Sequence, residues 1–345
     1  MLTSKKIKKL AKKNGADLVG ITTMHRFEGL PKQMDPRTIF PEAKSMIVLG
    51  FRMLRGNYRG VEEGTFFATH NLMGYEGTRW IFQPVVLWNF TKILEDHGFE
   101  SIPIPDHFPW SNIDNINPDN IGQDFLYVNV SNYGKTGNTW SRPVDSERPK
   151  PDVFFQLKIA GSLAGLGEIG HSGIFLTPEY GPRQMLAAII TDAPLEPDPV
   201  FQGSICDNCM ECVKNCPAKA ISTHEKVKIQ LIDNSFEWAK LDFNRCSIAL
   251  HGGVKDYNPF MLTKEDEKGF TEAPYTKSMH YKIGPHYQYG RSISGFRGCH
   301  IACMIHLEEK GILKNKFKNP FRTKQPWKIN WDIADKLSEK IEEDE

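Results

Sequence analysis

Cys206, Cys209, Cys212 and Cys216 stand in SICDNCMECVKNCPAKAIS with the spacing C-x2-C-x2-C-x3-C, and Pro217 follows the last of them. Four thiols within eleven residues leave one short loop few options. It wraps a metal centre, and the Pro turns the chain away after the fourth ligand while backbone N–H groups point at the sulfur. Structural zinc sites usually present two separated C-x2-C knuckles, and four cysteines this close are poorly spaced for bridges. The run has the spacing of ligands to cubane iron–sulfur clusters, so the chain is expected to move electrons.

In such a run the fourth cysteine normally ligates a different cluster from the first three. Cys216 therefore implies a second cluster and more ligands downstream. Three cysteines remain, Cys246, Cys299 and Cys303. If Cys299 and Cys303 end a second C-x2-C-x3-C-P run, Phe296 occupies a cysteine position and Met304 the proline position. Crossed ligation then assigns Cys206, Cys209, Cys212 and Cys303 to one [4Fe–4S] centre, and Cys216, Cys246 and Cys299 to the other. Three thiolates suit a [3Fe–4S] cluster, or a [4Fe–4S] cluster with one non-Cys ligand such as His300 or His306. The competing reading makes the late cysteines ordinary buried thiols, since free Cys is among the most buried residue types.

The chain has 345 residues, 40% hydrophobic and 25% charged, with a formal net charge of +1. That is long for one domain and ordinary for two. The charge balance supplies no global field for DNA or an anionic membrane. The basic KKIKKLAKK near the start carries a narrow apolar stripe, Leu2, Ile7 and Leu10, and reads as a solvated first helix. No apolar stretch approaches the roughly 18 residues that span a bilayer. Neither a signal-peptide core nor a twin-arginine pair marks export. Seven cysteines committed to metal fit a reducing cytoplasm.

Hydrophobic periodicity predicts a helix over 4–14, strands over 16–23 and 44–51, a helix through WIFQPVVLWNFTKILEDHG stopped by Gly98, and an extended SIPIP. From Pro103 to Pro151 the chain is loop-like and rich in aromatics, which favours a ligand-lining loop. A helix in DVFFQLKIAGSLAG, the glycine run GLGEIGHSG, a strand IFLTP, the turn EYGPR and a strand MLAAIITD follow. The Pro-rich 193–200 segment is a plausible boundary. Residues 247–298 read as an insertion between two ligands, and the acidic C-terminal helix as a solvated tail.

Gly165, Gly167 and Gly170 match G-x-G-x-x-G, with Asp192 as a candidate ribose ligand. The element order argues against a dinucleotide site, because a helix enters these glycines and a strand leaves them, the reverse of what such a site needs. The run is better read as a tight turn whose bare backbone approaches a large flat ligand.

The stretch AGLGEIGHSGIFLTPEYGPRQMLAAIITDAPLEPDP (164–199), directly followed by the cysteine run, resembles the cobamide-dependent superfamily of reductive dehalogenases and epoxyqueuosine reductases. The AGLGE, TPEYGPR and TDAPLEPD forms are more similar to the dehalogenase branch. The resemblance implies an α+β chain in which a nitroreductase-like α/β core (1–200) buries a base-off cobamide. A ferredoxin-like two-cluster unit (201–345, with the insertion at 247–298) then feeds it electrons. Carried over by position, all seven cysteines become cluster ligands, and Gly165, Gly167, Thr177, Pro178, Tyr180 and Gly181 lie against the corrin.

The resemblance further implies a reductase of a small-molecule substrate such as an organohalide, acting through Co(I), with a low-potential donor such as ferredoxin or flavodoxin. Dehalogenases of the family use a tyrosine beside a basic residue as proton donor, so Tyr127 or Tyr133 with Arg183 is the expected set, and Asp152 the carboxylate alternative. Arg183 follows a Gly-Pro turn, and burying it would be costly without an anion or polar ligand. It is therefore expected to serve the reaction more than the fold. Two rival functions are an epoxyqueuosine-reductase-like enzyme acting on a tRNA nucleoside, which the lack of an evident basic RNA-binding patch weighs against, and an electron-transfer or corrinoid-handling protein.

Overall fold

The computed structural model describes residues 2–104, 144–149, 153, 156–250, 252–261 and 297–333. Tyr127, Tyr133, Asp152, Phe296 and the acidic C-terminal segment lie outside them.

Helix α1 (Ser4–Lys13) is capped by the Thr3 hydroxyl, which accepts from Lys6 N, and Ile7 and Ala11 are its buried side. Strands β1 (Leu18–Thr23) and β2 (Ser45–Arg52) follow, then α2 (Gly56–Glu63). The helix expected from Trp80 onward begins earlier. A π-helical segment, His70–Phe82, runs into α3 (Gln83–Glu95), and Gly98 at φ +82° helps end it. Strand β3 (Ser101–Ile104) leads out to the segment after 104.

After α4 (Leu157–Leu163) come the short strands β4 (Glu168–Ile169) and β5 (Phe175–Leu176), then the long β6 (Gln184–Thr191). The antiparallel sheet has the order β1-β2-β6-β3. Residues of β2 and β6 are buried on both faces. Met46, Val48, Ala188 and Ile190 meet α4 on one side, whereas Ile47, Leu49, Ala187 and Ile189 meet α1 and α3 on the other. This explains why the two strands read as continuous apolar runs rather than alternating ones.

Beyond residue 200 come α5 (Glu211–Lys214), the hairpin β7 (Ile221–Gln230) and β8 (Ser235–Leu241), α6 (Phe243–Leu250) and α7 (Cys299–Glu309). Val227, Ile229 and Trp238 of the hairpin share an apolar cluster with α4 and the sheet, so chain from both sides of residue 200 builds one core. The architecture is mixed helix and sheet, as expected.

Candidate functional site

All seven cysteines are free thiols, with Cys212 buried and the other six half-buried, and short elements bring them together. Asn208 and Met210 adopt left-handed backbone at φ 56° and 63°, which curls 206–212 inward. Such conformations cost non-glycine residues energy and cluster at functional sites. Cys212 lies on α5 and Cys216 just beyond its end, while Cys299 and Cys303 are one helical turn apart on α7. Gly298, at φ +103°, opens α7. Residues at i and i+4 share a helix face, so Cys299 and Cys303 can serve two neighbouring centres.

The electrostatics of the thiols show which neighbours they have. Burial raises the Cys303 pKa, and Cys206, Cys212 and Cys209 push it further. Burial raises Cys299, with Cys246 and Cys216 its strongest thiol neighbours. Cys246 rises to about 12 through burial and then Cys216, against an opposing pull from Lys158. Cys212 rises to about 11 through burial, Cys206 and Cys209. Cys206, Cys209 and Cys212 thus lie near Cys303, and Cys246 and Cys216 near Cys299, which also feels Cys212 and Cys303 and packs in one cluster with Cys212 and Cys216. Thiols packed this densely resist ionisation until a cation sits among them, and a metal then deprotonates them. The donor set fits iron–sulfur clusters.

Backbone amides already address the sulfurs. His171 N donates to Cys206 Sγ at 3.4 Å and Ala220 N to Cys216 Sγ at 3.3 Å. One carboxylate fixes the start of the ligand loop. Glu168 Oε1 on β4 accepts from both Ile205 N and Cys206 N at 2.6 Å. Sequence reasoning placed Glu168 only within the glycine run. Its task arises from a contact 38 residues along the chain that no local pattern announces.

The two histidines considered as non-Cys ligands are engaged elsewhere. His300 Nε2 meets Pro182 O at 2.9 Å, and the ring stacks on Tyr58. His306 Nε2 meets Asp207 Oδ2 at 3.0 Å, in a group with Asp207 and Cys209 that also includes the Lys310–Asp207 ion pair. It therefore lies beside the first thiol group and not the second.

The Cβ sides of Gly165 and Gly167 are filled by protein. A Cβ on Gly165 would meet Pro199 O, and one on Gly167 would overlap Leu176 O. The helix-in, strand-out order is as expected, but these bare backbones admit neighbouring chain. Thr177 is buried, with its hydroxyl on Gln184 Oε1 at 3.0 Å. Gly181 lies against Leu307, Leu313 and Met304. Pro178 and Tyr180 remain half-exposed.

Arg183 is 1% exposed. It donates to Met53 O and, at 2.7 Å, to Asn315 Oδ1, and lies 4.9 Å from the Phe317 ring centroid. Burial lowers its pKa. Tyr58, raised by burial, and His70, lowered to about 3 by burial and then by His300, complete this polar knot. Among the described residues, buried polar atoms without partners include Arg183 Nε, His70 Nδ1 and both amide atoms of Asn71 and Gln83. The Cβ sides of the glycines in this turn are filled by neighbouring chain, and the orphaned groups of 70–83 lie apart from it.

No family model matches the chain. Over 90 residues it is 37% identical to tetrachloroethene reductive dehalogenase of Sulfurospirillum multivorans, a match covering 24% of this chain and 18% of that protein. Over 58 residues it is 40% identical to epoxyqueuosine reductase of Listeria monocytogenes, covering 17% and 15%. The matches thus span less than a fifth of these relatives' length. Among solved structures, a catabolic reductive dehalogenase aligns with TM-score 0.47 and 15% identity over 95% of this chain and 40% of its own. Epoxyqueuosine reductase from Bacillus subtilis aligns with TM-score 0.42 and 16% identity over 89% and 82%. Over those stretches the chain is similar in sequence to oxidoreductases of both kinds, a reductive dehalogenase and an epoxyqueuosine reductase.

Proposed function

We propose that the protein is a two-cluster iron–sulfur reductase whose substrate is a small organic molecule, with reductive dehalogenation as its reaction. The observation that carries this is the clustering of thiols from the 206–216 loop, α6 and α7 close to one another, in a chain with reductase relatives. Cys206, Cys209, Cys212 and Cys303 hold a [4Fe–4S] cluster. Cys216, Cys246 and Cys299 hold a second, three-iron or with one non-Cys ligand. Two such centres side by side pass electrons one at a time from a low-potential donor at the surface to the interior.

Replacing a carbon-bound halogen by hydrogen consumes two electrons and one proton and releases halide. A base-off cobamide is proposed as the group the clusters serve, supported by the resemblance of 164–199 and by the orphaned polar atoms of 70–83. The cytoplasm, with Tyr127 or Tyr133 as proton donor, belongs to the same proposal. No helix among the described residues is long and apolar enough to cross a membrane.

The test is anaerobic preparation, iron and sulfide analysis with EPR, a corrinoid spectrum, and halide release from an organohalide panel under a strong reductant. Seven to eight irons per chain are expected from the four-plus-three ligand count, and a value near four removes the second cluster. Phe296→Cys, if it restores a ligand position, shifts the EPR signal of the second centre toward a four-iron cluster. No shift means the register is wrong or a fourth ligand already exists.

A second reading, reduction of a tRNA nucleoside, is favoured by the epoxyqueuosine reductase matches. The structure also presents a basic stretch that the sequence reading passed over. Lys316, Lys318, Lys324 and Lys328 are exposed along 316–328, interleaved with half-buried Phe317 and Trp327. Nucleoside analysis of tRNA incubated with the reduced protein decides for or against it. A protein with clusters and neither activity is the electron-transfer or corrinoid-handling alternative.

A further inference from the structure

The largest apolar anomaly of the described surface lies on α3 and the π-helical segment before it. Trp80 is 62% exposed, Ile81 68%, Val85 53% and Trp88 68%, with Phe82 beside them. Ile81, Val85 and Trp88 stand at i, i+4 and i+7, one stripe on a helical surface. The opposite side of α3, Val86, Leu87, Phe90 and Leu94, is buried on the sheet. Apolar faces of this kind mark sites of association.

Helix α1 packs on the same side of the sheet through Ile7 and Ala11, so its outer side looks in the same direction as the stripe. The two meet at Gly15, where an added Cβ would lie 2.9 Å from Phe82 Cζ and 3.3 Å from Val86 Cγ2. Helix α1 contains no acidic residue. Lys5, Lys6, Lys9, Lys12 and Lys13 are all exposed, and none of them has an acidic partner among the described residues. Lys8 alone is tied down, to Asp198. Exposed Lys92 continues the α3 stripe one turn past Trp88, while Glu95 and Asp96 lie beyond it at the helix end.

We infer that this face, α1 together with the Trp80–Trp88 stripe, docks the protein peripherally on an anionic lipid surface. Tryptophans seat at the headgroup level and apolar side chains enter the acyl boundary, while a cluster of lysines meets anionic headgroups. A second copy of the chain is a poorer occupant. In a two-fold contact the same patch faces itself, and a concentration of lysines without acidic partners would then meet its own kind.

The test uses the full chain with its metal, co-sedimented with vesicles of phosphatidylcholine alone and of phosphatidylcholine mixed with phosphatidylglycerol. Binding to the mixed vesicles only, weakened by salt, is expected. The triple variant Lys5→Glu/Lys9→Glu/Lys12→Glu should lower the partition coefficient by about 100-fold or more. Trp80→Ser/Trp88→Ser should also abolish binding, and because both positions are exposed the fold is retained by circular dichroism. Equal binding to neutral vesicles, or no binding to either, overturns the inference. So does a dimer by light scattering that Trp88→Ser dissolves, since a second copy then covers the face.

Discussion

On the four-stranded sheet, β2 is buried from Ser45 to Phe51, and the polar groups that go in with it are answered by protein. Ser45 Oγ donates to Ala193 O at 2.8 Å, and Ser101 Oγ donates to Thr191 Oγ1 at 2.9 Å. Around the thiols, burial falls instead on groups that gain nothing from it alone. Cys212, Cys246, Cys299 and Cys303 are pushed up and away from ionisation, and two non-glycine residues of the ligand loop hold left-handed backbone. The sheet is complete as a packing object. The cysteine-bearing half is arranged for something that carries positive charge.

The sharpest way to break this contrast is to remove the metal. Structural metal sites convert on the order of 10 kcal/mol of binding into folding energy. Stripping iron anaerobically should therefore release amide protection in 205–216 and α7 while β2 and β6 stay protected, as read by hydrogen exchange. If α7 keeps its protection without iron, the thiol groups are self-supporting and the contrast fails.

The same contrast explains what could be read from the chain and what could not. Cysteine spacing is local, so the 206–216 run was visible as text, and α1, β1, β2, α3 and β6 carry periodic or continuous apolar runs. The π-helical 70–82 segment has no periodic signature of its own, so the helix start was placed at Trp80. Contacts across long separations were invisible. Glu168 was seen as part of a glycine loop, whereas its oxygen ties down Ile205 and Cys206. For Arg183 the cost of burial raised the right question, but the groups that meet it, Met53 O and Asn315, are protein groups brought in from 130 residues before it and 132 after it.

Arg183→Leu sharpens the comparison at the junction of the two halves. The substitution strands Met53 O and Asn315 Oδ1 and removes a cation from beside Phe317, for a cost of about 3–4 kcal/mol. Thermal unfolding should show the loss. Where turnover falls with no change in unfolding temperature, the guanidinium serves the reaction instead.

Glu168→Ala acts on the ligand loop alone, leaving two backbone N–H groups without their shared acceptor, at about 2–3 kcal/mol. The expected signature is faster iron release to a chelator with the sheet undisturbed. Glu168→Gln, which keeps an acceptor oxygen, should recover most of the retention. Equal release from wild type and both variants would mean the loop is set by the cluster itself.

The smallest effect concerns acid and separates the two regions by pH. His70, buried against Tyr58 with a ring separation of 5.0 Å, has its pKa lowered from 6.5 to about 3, by burial first and by His300 second. The folded chain therefore refuses a proton that the unfolded chain accepts. The corresponding stability is whole above about pH 6.5 and is lost as the pH falls toward 3. Glu308, raised by burial, runs in the opposite sense and favours the folded state on the acid side. His70→Phe keeps a ring against Tyr58 and removes the titrating nitrogen. At pH 7 it should change stability by less than about 1 kcal/mol, while the decline of stability between pH 6.5 and 4 becomes shallower. Among the described residues the buried clusters on the sheet's two faces hold apolar side chains, so a variant with the acid slope of the parent would place the sensitivity outside the Tyr58–His70 contact.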